Sequence, residues 1–243
     1  MTPPLFLVDA LPSGDSLDLT GDEGRHAARV RRIGAGEVVE IGDGSGVVLT
    51  CTVAAVLPEG LRLTVTARRS APVPAPRVAV VQALPKGERA ELAVEVMTEL
   101  GVDEIVPWAA SRSVTQWHGS RGEKALDKWR RTAREAAKQS RRPWVPTVAP
   151  LATTAEVAAR IRAASGALVL HESASTPLVS AALPADGDLL LVVGPEGGVA
   201  EDELARFAIA GALAVRMGEP VLRTSTAGAA ALAALSVRLG RWS

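Results

Sequence analysis

Between residues 37 and 67, apolar and polar positions alternate in three short runs: Glu37 to Ile41, Val47 to Val56 and Leu61 to Ala67. Alternation marks half-buried strands, because successive side chains leave opposite faces of an extended backbone. The tract Gly42-Asp43-Gly44-Ser45-Gly46 between the first two runs predicts a hairpin, and together the runs predict a small β-barrel. The pattern breaks at Ser70-Ala71-Pro72-Val73-Pro74-Ala75-Pro76, where proline at every second position favours a stiff extended connector. The chain therefore reads as a β domain over 1–70, a linker over 71–76 and a second domain over 77–243.

Beyond the linker, strand-like and helix-like segments alternate: Arg77 to Leu84, Glu88 to Leu100, Glu104 to Trp108, Gly122 to Ser140, Thr153 to Ala164 and Ala167 to His171. Such alternation predicts an α/β sheet. The helix from Glu88 gathers Ala90, Ala93, Val94, Met97 and Leu100 on one face and stops at Gly101, read as a left-handed cap. Farther on, the apolar run Leu189 to Val193 ends at Gly194-Pro195-Glu196-Gly197-Gly198, and Met217-Gly218-Glu219-Pro220 follows one helical segment later. Ligands in open α/β sheets sit beyond the carboxyl ends of strands, where glycine permits close approach and proline stiffens the loop. The two loops predict one small-molecule site. Neither Gly-x-Gly-x-x-Gly nor a Gly-Lys-Ser/Thr ending is present, so a ligand other than a phosphate is expected.

Composition narrows the classes. Lys plus Arg and Asp plus Glu number 27 each, so the chain has no overall basic field and any nucleic-acid contact must be local. Cys51 is the single cysteine, which excludes an internal disulfide and a cysteine-rich zinc site, reads as a small core residue, and fits a reducing cytoplasm. The start of the chain lacks a signal-peptide pattern and no apolar stretch is long enough to span a bilayer, so neither secretion nor membrane insertion is expected. His26, His118 and His171 lie far apart and no Asp/Glu/Cys set shows ligand spacing; no metal is implied.

Two local basic clusters stand out. Arg25, Arg29 and Arg32 recur at helical spacing beside His26, with Ala27, Val30 and Ile33 available for a buried face; this cationic face is expected to bind RNA. From Arg121 to Arg142, nine basic residues stand against three acidic ones, a density suited to phosphate contacts. Trp129 and Trp144 lie within or beside that cluster, where their placement suits core packing. With no tyrosine and only Phe6 and Phe207, the chain offers no stacking platform for several bases.

The strings Lys86-Gly87-Glu88-Arg89, Thr98-Glu99-Leu100-Gly101-Val102, Arg112-Ser113-Val114, Glu135 to Ser140, Gly194 to Gly198 and Leu222-Arg223 resemble the ribosomal RNA small subunit methyltransferase E family. Arg25 to Val30 and Asp43 to Gly46 resemble its other domain, so the likeness spans essentially the whole chain. The resemblance implies a PUA-like β-barrel joined to a SPOUT-type α/β domain with a trefoil knot, a homodimer, S-adenosylmethionine as cofactor, and N3-methyluridine in the 16S rRNA of the small ribosomal subunit as product. Carried over by position, it assigns Leu170, His171, Glu172, Gly194, Pro195, Glu196, Gly197, Gly198, Met217, Gly218, Leu222, Arg223, Thr226 and Ala227 to the cofactor. Where relatives commonly carry a glutamate after the Leu-Arg pair, this chain has Ser225.

The methyl donor is already activated, so the protein must align the nucleophile and exclude water. Uracil N3 carries a weakly acidic proton, and Arg112 or Arg223 is expected to stabilise the anion left by its loss; the base is unassigned. Two other readings stay open: a related knotted methyltransferase acting on a ribose 2′-hydroxyl or another base, and a catalytically silent rRNA-binding assembly factor.

Overall fold

The computed structural model describes residues 2–87 and 89–242. Its compact units part between Val73 and Pro74, and the first also takes in Ala137–Val145. In this first unit β1 (Leu5–Leu7), β2 (Ser16–Leu19), β3 (Val38–Gly42), β4 (Val47–Leu57) and β5 (Gly60–Ser70) form one sheet in the order β1-β3-β4-β5-β2. β1 runs parallel to β3 and the other pairs are antiparallel, with the expected hairpin joining β3 to β4. Phe6, Leu19, Val39, Ile41, Leu49 and Leu61 pack into one core with Cys51 and Ala27.

Between β2 and β3 lies α1 (Gly21–Arg25), running into a π turn over His26–Val30. A side chain on Gly60 would place Cβ 1.9 Å from the Leu19 carbonyl oxygen, and one on Gly24 would come within 2.3 Å of the same atom. The helix therefore lies backbone to backbone against the sheet. Residues 143–145 close the β3–β4 hairpin: Gly46 N–H donates to Pro143 O and Val145 N–H to Gly44 O, at 3.0 and 2.9 Å. Trp144, half-buried over Gly46, donates from Nε1 to Pro72 O.

The second unit contains β6 (Arg77–Ala83), α2 (Arg89–Glu99), β7 (Glu104–Trp108), α3 (Gly119–Gln139) up to Ala136, β8 (Thr147–Val148), α4 (Thr154–Ala163), β9 (Gly166–Leu170), β10 (Asp188–Val193), α5 (Glu201–Ile209), β11 (Leu213–Val215) and α6 (Thr224–Arg238). Glu88, expected to open α2, lies outside the described residues; Gly101 does take a left-handed φ of 98°. The six strands form a wholly parallel sheet ordered β11-β9-β10-β6-β7-β8. β10 inserts between β6 and β9, so both its faces are covered. Leu189, Leu191 and Val193 enter a core with α2, α3 and α6; Leu190 and Val192 enter a second core with α4 and α5. Trp129 is part of the first core, packed edge-on to Trp117, and Trp108 of the second, packed edge-on to Phe207.

The chain end is clasped to this unit. Arg241, largely buried, donates to Pro76 O, Gly101 O and the Asp103 carboxylate, which also accepts from Val78 N–H. Removing the guanidinium takes the charge partner seen here from a buried carboxylate, a loss that costs about 3 to 5 kcal/mol. Arg241→Ala should lower unfolding free energy by about that amount in chemical denaturation; unchanged stability would remove the clasp from this role. In the first unit, burial pushes the Cys51 thiol up to about 11. Cys51 should resist a disulfide reagent at neutral pH in the folded protein and react fully in denaturant.

Candidate functional site

Because β9, β10 and β11 run parallel, their carboxyl ends open on the same edge, and a cavity of about 510 Å³ lies there. Leu170, His171 and Glu172 line it after β9, Val193 and Gly194 to Val199 after β10, and Arg216 to Gly218 with Pro220 to Thr224 after β11; Ala227 of α6 completes the wall. The structure thus brings together all the residues assigned to a cofactor except Thr226. Thr226 is exposed in the first turn of α6, its N–H bonded to Arg223 O, and Thr224 lines the cavity instead. A helix shows only part of its first turn to one side, so neighbours two apart diverge. Ser225 is buried in that same turn.

The glycine loop doubles back on itself. Gly198 takes φ 72° and donates its N–H to Pro195 O, while a Cβ on Gly194 would fall 2.8 Å from Val199 Cγ2. Val199, Arg216 and Val221 also line the cavity and were not singled out from sequence; no motif marks them beyond adjacency to the two loops. At His171 the ring Nδ1 accepts from Ser173 N–H at 3.2 Å, so the neutral ring carries its proton on Nε2.

Neighbouring loops brace this edge. Glu196 accepts Lys86 N–H through Oε1 at 3.1 Å, and Thr115 donates to Pro85 O at 3.0 Å. Arg112 donates from Nη1 to Gly197 O at 3.2 Å; it is exposed and stands against the loop without lining the cavity. Arg223 does line it, at the start of α6, and among the described residues no carboxylate pairs with it. Behind the loops Glu203, 2% exposed, accepts from Ser111 N–H (2.9 Å), the Thr154 hydroxyl (2.8 Å) and Ala200 N–H (3.3 Å). Trp108 Nε1 donates to the same hydroxyl oxygen at 3.2 Å. Sequence reasoning passed over Glu203, since it sits in a Glu201-Asp202-Glu203 run that reads as a solvated first turn.

In the first unit the predicted cationic face is corrected. Arg31 N–H donates to His26 O, a π turn whose extra residue per hydrogen bond rotates the following positions, leaving Val30 67% exposed rather than buried. Arg32 lies beyond the turn with φ 55° and does not continue the helix. Arg25 pairs with Asp22 and Glu59, Arg29 pairs with Glu59 at 2.5 Å, and His26 packs edge-on to Phe6. Ala27 and Ile33 are buried as expected.

An RNA methyltransferase domain model matches residues 72–236, and an RNA methyltransferase PUA domain model matches 19–65. Ribosomal RNA small subunit methyltransferase E of Mycobacterium bovis is 49% identical over 98% of this chain and 93% of its own length. The chain belongs to the ribosomal RNA small subunit methyltransferase E family. The Bacillus subtilis family member is 30% identical over 91% of this chain and 90% of its own. The crystal structure of the Neisseria gonorrhoeae family member, bound to S-adenosyl methionine, aligns with a TM-score of 0.88 at 26% identity and covers 100% of both chains.

In this family member Glu203 ties the Arg112 loop to the starts of α4 and α5. Glu203→Ala would strand two backbone N–H groups and a hydroxyl, and should lower stability by about 2 to 4 kcal/mol. Glu203→Gln, which keeps one acceptor, should recover part of the loss in the same denaturation measurement. Equal stability of all three proteins would exclude the bridge as a structural tie.

Proposed function

We propose that this protein transfers the methyl group of S-adenosylmethionine to N3 of one uridine in the 16S rRNA of the small ribosomal subunit. The cavity at the carboxyl ends of β9, β10 and β11, in a fold that aligns with a relative bound to that cofactor, carries the reading. Its volume falls within the range of small-molecule sites. Leu170, Met217 and Leu222 supply apolar wall, Glu172 and Glu196 negative charge and Arg216 and Arg223 positive charge, matching a ligand with an apolar-faced base, a sulfonium and a zwitterionic amino acid. The cofactor supplies an activated methyl group when bound. The chain's part is to hold it, exclude water and favour the uridine anion.

Arg223 is suited to the last task, because it lines the cavity and, among the described residues, no carboxylate pairs with it. Arg112 acts through the loop, holding Gly197. Glu196 is engaged by Lys86 N–H, which favours a shaping role, and the base stays unassigned. The insertion of β10 between β6 and β9, with α6 returning against β6 and β10, supports a trefoil knot. Register shifts in the β4–β5 pair support a coiled barrel in the first unit. Exposed Val237 and Trp242, near the chain end, offer apolar surface for a homodimer, and an rRNA substrate supports a cytoplasmic setting.

Labelled methyl transfer to small subunits lacking the native modification, compared with naked 16S rRNA, should yield N3-methyluridine at one site. A ribose-methylated or different nucleoside would move the target; subunit binding without transfer would favour a silent assembly factor, to which Ser225 gives some ground. Arg223→Ala should lower the single-turnover rate about 100-fold at saturating cofactor, the scale of losing one anion-stabilising donor, and Arg112→Ala less. Wild-type rates in both variants would exclude the arginines from anion stabilisation.

A further inference from the structure

On α3, Arg121, Lys124, Lys128 and Arg131 follow one another at spacings of three, four and three. At roughly 100° per residue these positions share an arc of about 80° and extend along about 15 Å of helix. All four are exposed. Lys128 alone has a partner, Glu91 of α2 at 2.9 Å; among the described residues no carboxylate pairs with Arg121, Lys124 or Arg131. Of the two acidic residues within this stretch, Glu123 lies about 80° outside the arc and Asp127 about 40° outside it, where Arg130 takes it at 3.2 Å. Glu135, the next position on the arc, ends the strip.

We propose that this face of α3 is a docking surface for the phosphate backbone of the rRNA substrate, distinct from the residues that line the cavity. The inference rests on the rRNA reading above. A chain with equal numbers of acidic and basic residues has no general field to draw in a polyanion, so a helix face on which three of four cations lack a carboxylate partner is suited to hold phosphates. Base readout is not expected here, because Trp129, the aromatic residue within this stretch, is buried in the core. Nor does the helix suit a bilayer surface: its apolar side, including Trp129 and Ala133, is already packed against the sheet.

The test compares wild type with Arg121→Glu/Lys124→Glu/Arg131→Glu and with the corresponding triple glutamine variant. Arg162→Glu/Arg206→Glu, exposed changes on α4 and α5 of the opposite layer, lowers net charge by four units against six for the strip reversal and controls for a general loss of positive charge. Binding to small subunits and to naked 16S rRNA is titrated at several salt concentrations, with circular dichroism and thermal midpoints reporting the fold. Charge reversal should raise Kd more than tenfold and raise KM for subunits while kcat at saturation holds. The glutamine variant should flatten the slope of log K against log salt by about two to three, as expected for three lost phosphate contacts, and Arg121→Lys/Lys124→Arg/Arg131→Lys should bind as wild type does. Wild-type affinity and slope in folded strip variants, an equal loss in the opposite-layer control, or preference for anionic phospholipid vesicles over RNA would each overturn the proposal. If wild type itself neither binds nor methylates subunits, the rRNA reading falls and the strip falls with it.

Discussion

The second unit depends on burying β10 from both sides. Every residue from Leu189 to Val193 is apolar, and alternate side chains enter separate cores, so helices must cover both faces of the sheet. Parallel strands achieve this, because each crossover returns over a face. They also send every strand's carboxyl end to one edge. The cavity is therefore a consequence of how β10 is buried: the chain leaves β9, β10 and β11 side by side, and the three exit loops have nowhere else to converge.

Loops at such an edge lack ladder partners, and backbone polar groups left there need others. Here carboxylates and an arginine serve: Glu196 holds the loop after β6, Arg112 holds the loop after β10, and Glu203 holds the loop after β7. Burial of Glu203 makes the last tie the strongest of the three, since its carboxylate is the one of the three groups held out of water. Precision at the cavity thus originates one layer behind it.

What the chain pattern made legible follows from what each signal measures. Glycine and proline report backbone geometry directly, so the Gly194 to Gly198 loop and the Gly101 cap were readable as local features. The Arg25 to Arg32 segment was misread because a 3.6-residue period assumes ordinary helical hydrogen bonds. One π turn displaces Val30 and Arg32 from the face the period assigns them. Thr226 was placed at the loop by family position, whereas Thr224 and Ala227 of that turn line the cavity. Glu203 was illegible because burial of a carboxylate is set by elements distant in sequence. Ser111, Thr154 and Ala200 converge on it only once the sheet is assembled.

Charge in this chain is organised by pairing rather than by amount. Arg25 and Arg29 are opposed by Asp22 and Glu59, yet all four side chains are substantially exposed, with values from 46% to 98%. Exposed pairs contribute at most about 1 kcal/mol, so a phosphate can exchange for Glu59 at little cost. The α3 strip requires no such exchange at Arg121, Lys124 and Arg131. The two surfaces therefore differ in character: at α3 three cations stand without a carboxylate partner among the described residues, whereas at Arg25 and Arg29 local carboxylates would have to give way before any anion could take their place.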